Sequence, residues 1–270
     1  MGSFKRLTHD GTLKLAPAFV AGGDEIVFSV HDIPRQVSLK RLKLSDGSQE
    51  RMFPSINAHQ LDIAFSADGR YQCFVMSALN PQMVLVIRDT VENKEFQFRP
   101  IGARSTVRNP NFTPDQKRIV FSLSSDGGRQ IASVNIQGDD LKKLTQSPNI
   151  NREPAVSPDG QKIAFSSSRM GNFDIDVMNI DGNDLQQLTH SPFRDMRPAW
   201  SPDGTRIAFT SARDGNLEIY VMQADGSEQQ RVTDHPERDD YPTWHPDGRR
   251  LLTVSERNGQ FDLFLIDVPA

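Results

Sequence analysis

The sequence predicts an all-β fold: a six-bladed β-propeller of four-stranded antiparallel blades, its ring closed by the N-terminal strand completing the last blade. Three observations predict it. A repeat of about 45 residues fills the chain, apolar residues within each repeat alternate with a period of two between turn signals, and the two chain ends read as complementary pieces of one repeat.

The repeat is clearest in its last three copies, Glu153-Pro154-Ala155-Val156-Ser157-Pro158-Asp159-Gly160, Arg197-Pro198-Ala199-Trp200-Ser201-Pro202-Asp203-Gly204 and Tyr241-Pro242-Thr243-Trp244-His245-Pro246-Asp247-Gly248. Weaker copies stand at Asn109-Pro110-Asn111-Phe112-Thr113-Pro114-Asp115, Ala64-Phe65-Ser66-Ala67-Asp68-Gly69 and Ala16-Pro17-Ala18-Phe19. Marked by the bulky residue, the copies fall at positions 19, 65, 112, 156, 200 and 244, so six units cover residues 1–270 as one domain.

Within the unit that begins at Arg197, the elements follow in order: a strand over Arg197 to Ser201, the turn Pro202-Asp203-Gly204, and a strand over Arg206 to Ser211. The turn Arg213-Asp214-Gly215-Asn216 comes next, then a strand over Leu217 to Gln223, the turn Asp225-Gly226 and a strand over Gln229 to Thr233. Proline presets the second turn position, and glycine accepts the backbone that ends the turn. Asp-Gly favours the tight reversal between the outer strands. The final unit stops after its third strand, Phe261 to Val268, whereas Phe4-Lys5-Arg6-Leu7-Thr8 matches the fourth strands ending Lys143-Leu144-Thr145 and Gln187-Leu188-Thr189. The N-terminal segment therefore supplies the missing strand and leaves no open sheet edge.

Composition narrows the function. With 31 Lys plus Arg against 35 Asp plus Glu, interspersed, the chain carries no electrostatic footprint for nucleic acid or an anionic membrane. One cysteine excludes an intramolecular disulfide, and no apolar run is long enough to span a bilayer, so no membrane insertion is expected. The polar N-terminus lacks the apolar stretch of a signal peptide, which makes the cytoplasm the expected location, or the periplasm for a mature or truncated chain.

The pattern Pro-Ala-Trp-Ser-Pro-Asp-Gly, with Leu-Thr at the blade ends, resembles the TolB-type propellers, a tryptophan-aspartate-like repeat family. The likeness covers the whole chain and is most specific over residues 109–268. It implies the propeller fold and a protein-binding role; it extends to the propeller alone, since an additional N-terminal domain has no room here. Similar propellers occur in prolyl-oligopeptidase-type enzymes and in oligogalacturonate lyases, but no Gly-x-Ser-x-Gly elbow or phosphate loop is present to carry a catalytic set across.

Repetition in phase marks scaffolding. Trp200 and Trp244 fall in register with Phe19, Phe65, Phe112 and Val156 and are expected between blades. Phe28, Phe74, Phe121, Phe165 and Phe209 recur nine residues later as core, and Cys73 sits where Ala164 and Ala208 sit, a small buried hydrophobe. Asp68, Asp115, Asp159, Asp203 and Asp247 share one turn and should satisfy its backbone donors. Arg169, Arg213 and Arg257 also repeat, with a structural duty expected. The six histidines form no compact metal signature, and neither metal nor other cofactor is expected.

Function is expected where the framework varies, in the connections entering the innermost strands at one end of the central channel. The candidate binding residues there are His59, Arg108, Asn109, Arg152, Glu153, Asp195, Arg197, Arg238, Asp240 and Tyr241. Their side chains suit a protein or peptide partner, or a polar small molecule, held by paired hydrogen bonds. The alternative is a small-molecule or carbohydrate-active hydrolase or lyase with its site in the central cleft; the same residues serve equally as a charge network closing the mouth. Two irregular turns, His31-Asp32-Ile33-Pro34-Arg35 and Ala78-Leu79-Asn80-Pro81-Gln82, suggest a second variable surface.

Overall fold

In the computed structural model, which describes residues 4–20, 22–33, 36–78, 82–102, 105–125 and 128–269, the alternating segments pair into six antiparallel sheets of four strands each. The first strand, β1 (Phe4–Arg6), is held over for the last blade. Blade one is β2 (Lys14–Phe19), β3 (Glu25–Ile33), β4 (Gln36–Lys43) and β5 (Gln49–Arg51); blade two is β6 (Gln60–Phe65), β7 (Tyr71–Ser77), β8 (Met83–Asp89) and β9 (Lys94–Phe98). Blade three comprises β10 (Thr106–Phe112), β11 (Arg118–Ser125), β12 (Gly128–Asn135) and β13 (Lys142–Lys143), and blade four β14 (Asn151–Val156), β15 (Lys162–Ser167), β16 (Asp174–Asn179) and β17 (Gln186–Gln187). Blade five comprises β18 (Asp195–Trp200), β19 (Arg206–Ser211), β20 (Glu218–Gln223) and β21 (Gln230–Arg231). Blade six joins β22 (Asp239–Trp244), β23 (Arg250–Arg257) and β24 (Gln260–Asp267) to β1, in register Phe4 with Ile266 and Arg6 with Phe264.

The turns form as their residues require. Asp203 accepts hydrogen bonds from Ser201 Oγ at 2.6 Å and from the Thr205 amide at 3.0 Å, and Asp68, Asp115 and Asp159 repeat the arrangement. Between the two outer strands of blade two, where the Asp-Gly reversal is absent, the Asp89 carboxylate takes over: it accepts the Val91 and Glu92 amides at 3.0 Å and is clamped by Arg70. Gly182 has φ +93°, and a Cβ there would lie 2.6 Å from the Leu144 carbonyl oxygen of the preceding blade, so glycine is required by backbone and by packing.

Two strands of blade five depart most from the sequence reading. The inner strand of blade five starts at Asp195 rather than Arg197, because Asp195 and Met196 pair with Ser211 and Thr210 beyond a register shift. Its outer strand shrinks to Gln230–Arg231: the Val232 and Thr233 amides both turn to the Ile219 carbonyl, and Thr233 Oγ1 accepts the Ile219 amide, so a side chain replaces the ladder.

Phe28, Phe74, Phe121, Phe165 and Phe209 are wholly buried, and Thr253 takes the same place in blade six. Trp200 and Trp244 lie between blades, donating Nε1–H to the Ala155 and Ala199 carbonyls at 3.1 and 3.0 Å. Burial pushes the Cys73 thiol far up, which suppresses the thiolate. Of the two irregular early turns, Pro34, Arg35 and Leu79–Pro81 lie outside the described residues. Among the described residues, no helix is long and apolar enough to cross a membrane.

Candidate functional site

Each inner strand carries a bulge at the same place, and the bulge builds the channel. Ala16, Asp62, Asn109, Glu153, Arg197 and Tyr241 all have positive φ, between 44° and 57°. The register shifts around each of them. A non-glycine residue held there is strained, and a bulge re-aims its side chain. All six line a central cavity of about 480 Å³, whose wall continues through Pro17, Pro110, Pro154, Pro198 and Pro242 to Trp200 and Trp244. Neighbouring blades hold the strained amides: Glu153 N donates to Ser122 Oγ at 2.9 Å, Arg197 N to Ser166 Oγ at 3.0 Å and Asn109 N to Asp62 Oδ2 at 3.0 Å.

Charge alternates around this ring. Arg108 grips Asp62 at 2.5 and 3.1 Å. Glu153 accepts Ser166 Oγ at 2.8 Å and faces the Nε atoms of Arg152 and Arg197, each 3.7 Å away. Arg197 donates to Asp240 Oδ1 at 3.0 Å and lies over the Tyr241 ring at 4.3 Å. Burial alone would lower the Arg197 guanidinium, but Asp240 and then Glu153 outweigh it and hold the group firmly charged. Arg129, which donates to Ser124 Oγ, shows the opposite balance: burial, then the Arg152 and Arg108 charges, push it below its ordinary value.

The ten expected residues divide into three sets. Asn109, Glu153, Arg197 and Tyr241 line the central cavity. Arg152, Arg197, Arg238 and Asp240 line a second groove of about 520 Å³ at the start of the inner strands, together with Phe193, Arg194 and Met196. Arg152 stacks on Phe173 at 4.1 Å and its buried Nε has no hydrogen-bond partner among the described residues, while Arg238 reaches Glu256 at 2.8 Å. His59, Asp195 and Arg108 stand apart from both linings. His59 Nδ1 accepts the Val37 amide at 3.1 Å, bracing blade one against blade two, and Asp195 is wholly buried against Arg213 at 2.9 Å. Arg108 touches the ring through its pair with Asp62.

Asp62, Arg129 and Arg194 fall outside the expected set. The sequence did hold a signal for the ring: in five of six blades the inward residue is the one before the repeated proline, although that position ordinarily favours extended backbone and the positive φ is imposed by the bulge. Asp62, followed by Ile63, escapes that signal, and nothing local in the sequence places Arg129. Among the described residues, no group of three or more His, Cys, Asp or Glu side chains is placed to hold a metal ion.

The profile of the TolB beta propeller domain matches residues 36–197 and 190–270. No individually characterised protein matches the sequence significantly. Among solved structures, the chain is similar to a protein from Agrobacterium tumefaciens provisionally designated TolB: 24% identity, 77% of this chain and 74% of that one, TM-score 0.66. With TolB from Acinetobacter baumannii it shares 20% identity over 93% of its length at TM-score 0.71, spanning 65% of that protein, just under two thirds. An oligogalacturonate lyase from Vibrio parahaemolyticus is 14% identical over 99% of this chain and 97% of its own, with TM-score 0.65. At these identities the structural likeness shows the fold alone.

Proposed function

Because this chain belongs to the TolB beta propeller domain family, matched over most of its length, we propose that it is a non-catalytic protein- or peptide-binding module that recognises its partner at one end of the central channel. One observation carries the reading. The groove at the start of the inner strands gathers Arg152, Arg194, Arg197 and Arg238 around one lining carboxylate, Asp240, and Asp240 is already committed to Arg197, Thr210 and the Tyr241 amide. Arg194 and Arg238, the latter also meeting Glu256, are the exposed cations of this frame, beside the half-exposed Phe193 ring, while Arg152 and Arg197 are partly covered and face Glu153 and Asp240. A preorganised surface of that kind lowers the ordering cost of binding, and arginine with an aromatic neighbour is the usual make-up of an interface anchor.

Panning a displayed random-peptide library on the wild type and on the Arg194→Ala/Arg238→Ala double variant, with folding verified by thermal unfolding, tests the reading. The expected result is a peptide family whose affinity falls at least tenfold on the variant. Undiminished binding would remove this mouth as the determinant. Release of unsaturated product from oligogalacturonides, or turnover of another polysaccharide, would replace the module with an enzyme.

A further inference from the structure

The six blades are not filled alike between their faces. In blade six the Trp244 ring lies beneath the Arg206 guanidinium, 4.8 Å from ring centre to carbon, and packs in one cluster with Ala208, Val232 and Val268. The cleft beside it, lined by Arg206, Val232 and Val268, is only about 70 Å³. Moving back two repeats replaces Trp244 by Val156, Arg206 by Arg118, and Val232 and Val268 by Leu144 and Ile180. There the in-phase cleft between blades three and four opens to about 590 Å³, with Val120, Leu144 and Ile180 as its apolar wall. Val120 is larger than its counterpart Ala208, but it is branched at Cβ and does not extend a flat ring under the arginine. Between blades four and five the in-phase cleft keeps about 460 Å³ although Trp200 is present, and there Lys162 and Ala224 stand where blades three and four have Arg118 and Ile180, so it is the indole together with the arginine and the larger apolar residue that closes the cleft at Trp244.

Arg118 is held ready to stack. Its Nε donates to Ser133 Oγ at 3.0 Å, Nη1 to Asp140 Oδ2 at 2.6 Å and Nη2 to the Ser133 and Asp140 carbonyls at 3.2 and 2.7 Å. Those bonds lie in the guanidinium plane and fix its orientation, which leaves its faces for a ring. The rim offers no net charge preference: Arg118, Lys142 and Lys143 are matched by Asp115, Asp159 and Asp181. A neutral ligand suits it best.

We propose that the cleft between blades three and four is a binding site for a small, neutral, planar aromatic molecule of indole size, which stacks on Arg118 and covers Val120, Leu144 and Ile180 in the place that Trp244 fills two blades later. The site is independent of the channel mouth. Its apolar wall and stacking cation are the usual elements of a small-molecule pocket, and its volume falls in the usual range.

Titration of free indole into methyl-labelled wild type, followed by NMR, is the test. Saturable shifts confined to the Val120, Leu144 and Ile180 methyls are expected. In Val156→Trp, whose added ring occupies the cleft from within, affinity should fall at least tenfold while the melting temperature rises. Arg118→Gln, which removes the stacking cation and keeps an amide in its place, should weaken binding several-fold. Absence of saturable shifts in the wild type, shifts located elsewhere, or unchanged affinity in a folded Val156→Trp would each overturn the proposal. The mapping on wild type decides the matter even where a variant fails to fold.

Discussion

Thr8 donates its hydroxyl proton to Asp262 Oδ1 at 2.6 Å, joining the two ends of the chain inside blade six. The same hydroxyl accepts the Leu263 amide at 3.0 Å. Thr145, Thr189 and Thr233 repeat the arrangement with Gln130, Asp174 and Glu218, and accept the Ile131, Ile175 and Ile219 amides. The Leu-Thr signature is therefore a clasp between the two outer strands of a blade, and in blade six it is also what closes the ring.

Thr8→Val keeps the shape of the side chain and removes both bonds. A buried amide and part of a buried carboxylate lose a partner, so a loss of about 1–3 kcal/mol is expected. Urea unfolding measures it, and the equivalent Thr189→Val is the comparison. Equal losses would mean that the closure is held no more strongly than any other blade; a larger loss for Thr8→Val would mark it as the weak seam.

Blade four has moved a carboxylate. In blades five and six, Arg213 and Arg257 pair with Asp195 and Asp239 and lie over Tyr220 and Phe264. In blade four the first of those acids is Asn151, the aromatic is Asp176, and Arg169 approaches Asp176 at 2.9 Å without a well-formed hydrogen bond. Burial, opposed by Arg169, pushes the Asp176 carboxyl up to about 6 from an ordinary 3.8. An acid raised in this way binds more protons folded than unfolded between those values. Its stabilising effect is therefore complete below the lower value and is lost as pH climbs through about 6. Asp176→Asn should raise the urea midpoint at pH 7.5 and leave it nearly unchanged at pH 4; the same shift at both would contradict the assignment. Asn151→Asp with Asp176→Tyr, which restores the arrangement of the later blades, should stabilise by more than the two single changes added together.

The Arg108–Asp62 pair links blades two and three across the channel wall. Asp62 is buried and Arg108 is partly open, so Arg108→Ala should cost about 1–3 kcal/mol by leaving a buried carboxylate with the Asn109 amide. The double variant Arg108→Ala/Asp62→Ala should cost less than Arg108→Ala alone. A thermal or urea double-mutant cycle reads the coupling, and simple additivity would show that the pair contributes nothing as a pair.

Gly182 and Gly215 separate backbone strain from collision. Both have φ near +95°, yet a Cβ on Gly215 meets nothing within 4 Å while one on Gly182 meets the Leu144 carbonyl at 2.6 Å. Gly215→Ala should cost about 1–2 kcal/mol from backbone conformation. Gly182→Ala should cost clearly more, because blade four must then shift from blade three. Matching midpoints for the two variants would disprove the contact.

Local chemistry made much of this architecture legible in the residues. Blade number, strand order, the Asp-centred turns, the inward phenylalanines and the closing role of Phe4–Arg6 follow from period-two patterning and from turn residues acting within a few positions of one another. Tertiary structure decided everything that depends on which side chains meet between blades. The bulges select which residue of each connection points at the axis, so Asp62 enters the ring while Asp195 is sealed beside Arg213 and His59 becomes a brace. Partners such as Arg108 and Asp62, or Arg197 and Asp240, lie more than forty residues apart, and their pairing depends on the angle between blades rather than on any local pattern. For the same reason the open cleft beneath Arg118 cannot be seen in Val156 alone: a valine reads as one more core residue until blade six shows how much space an indole fills there under an arginine.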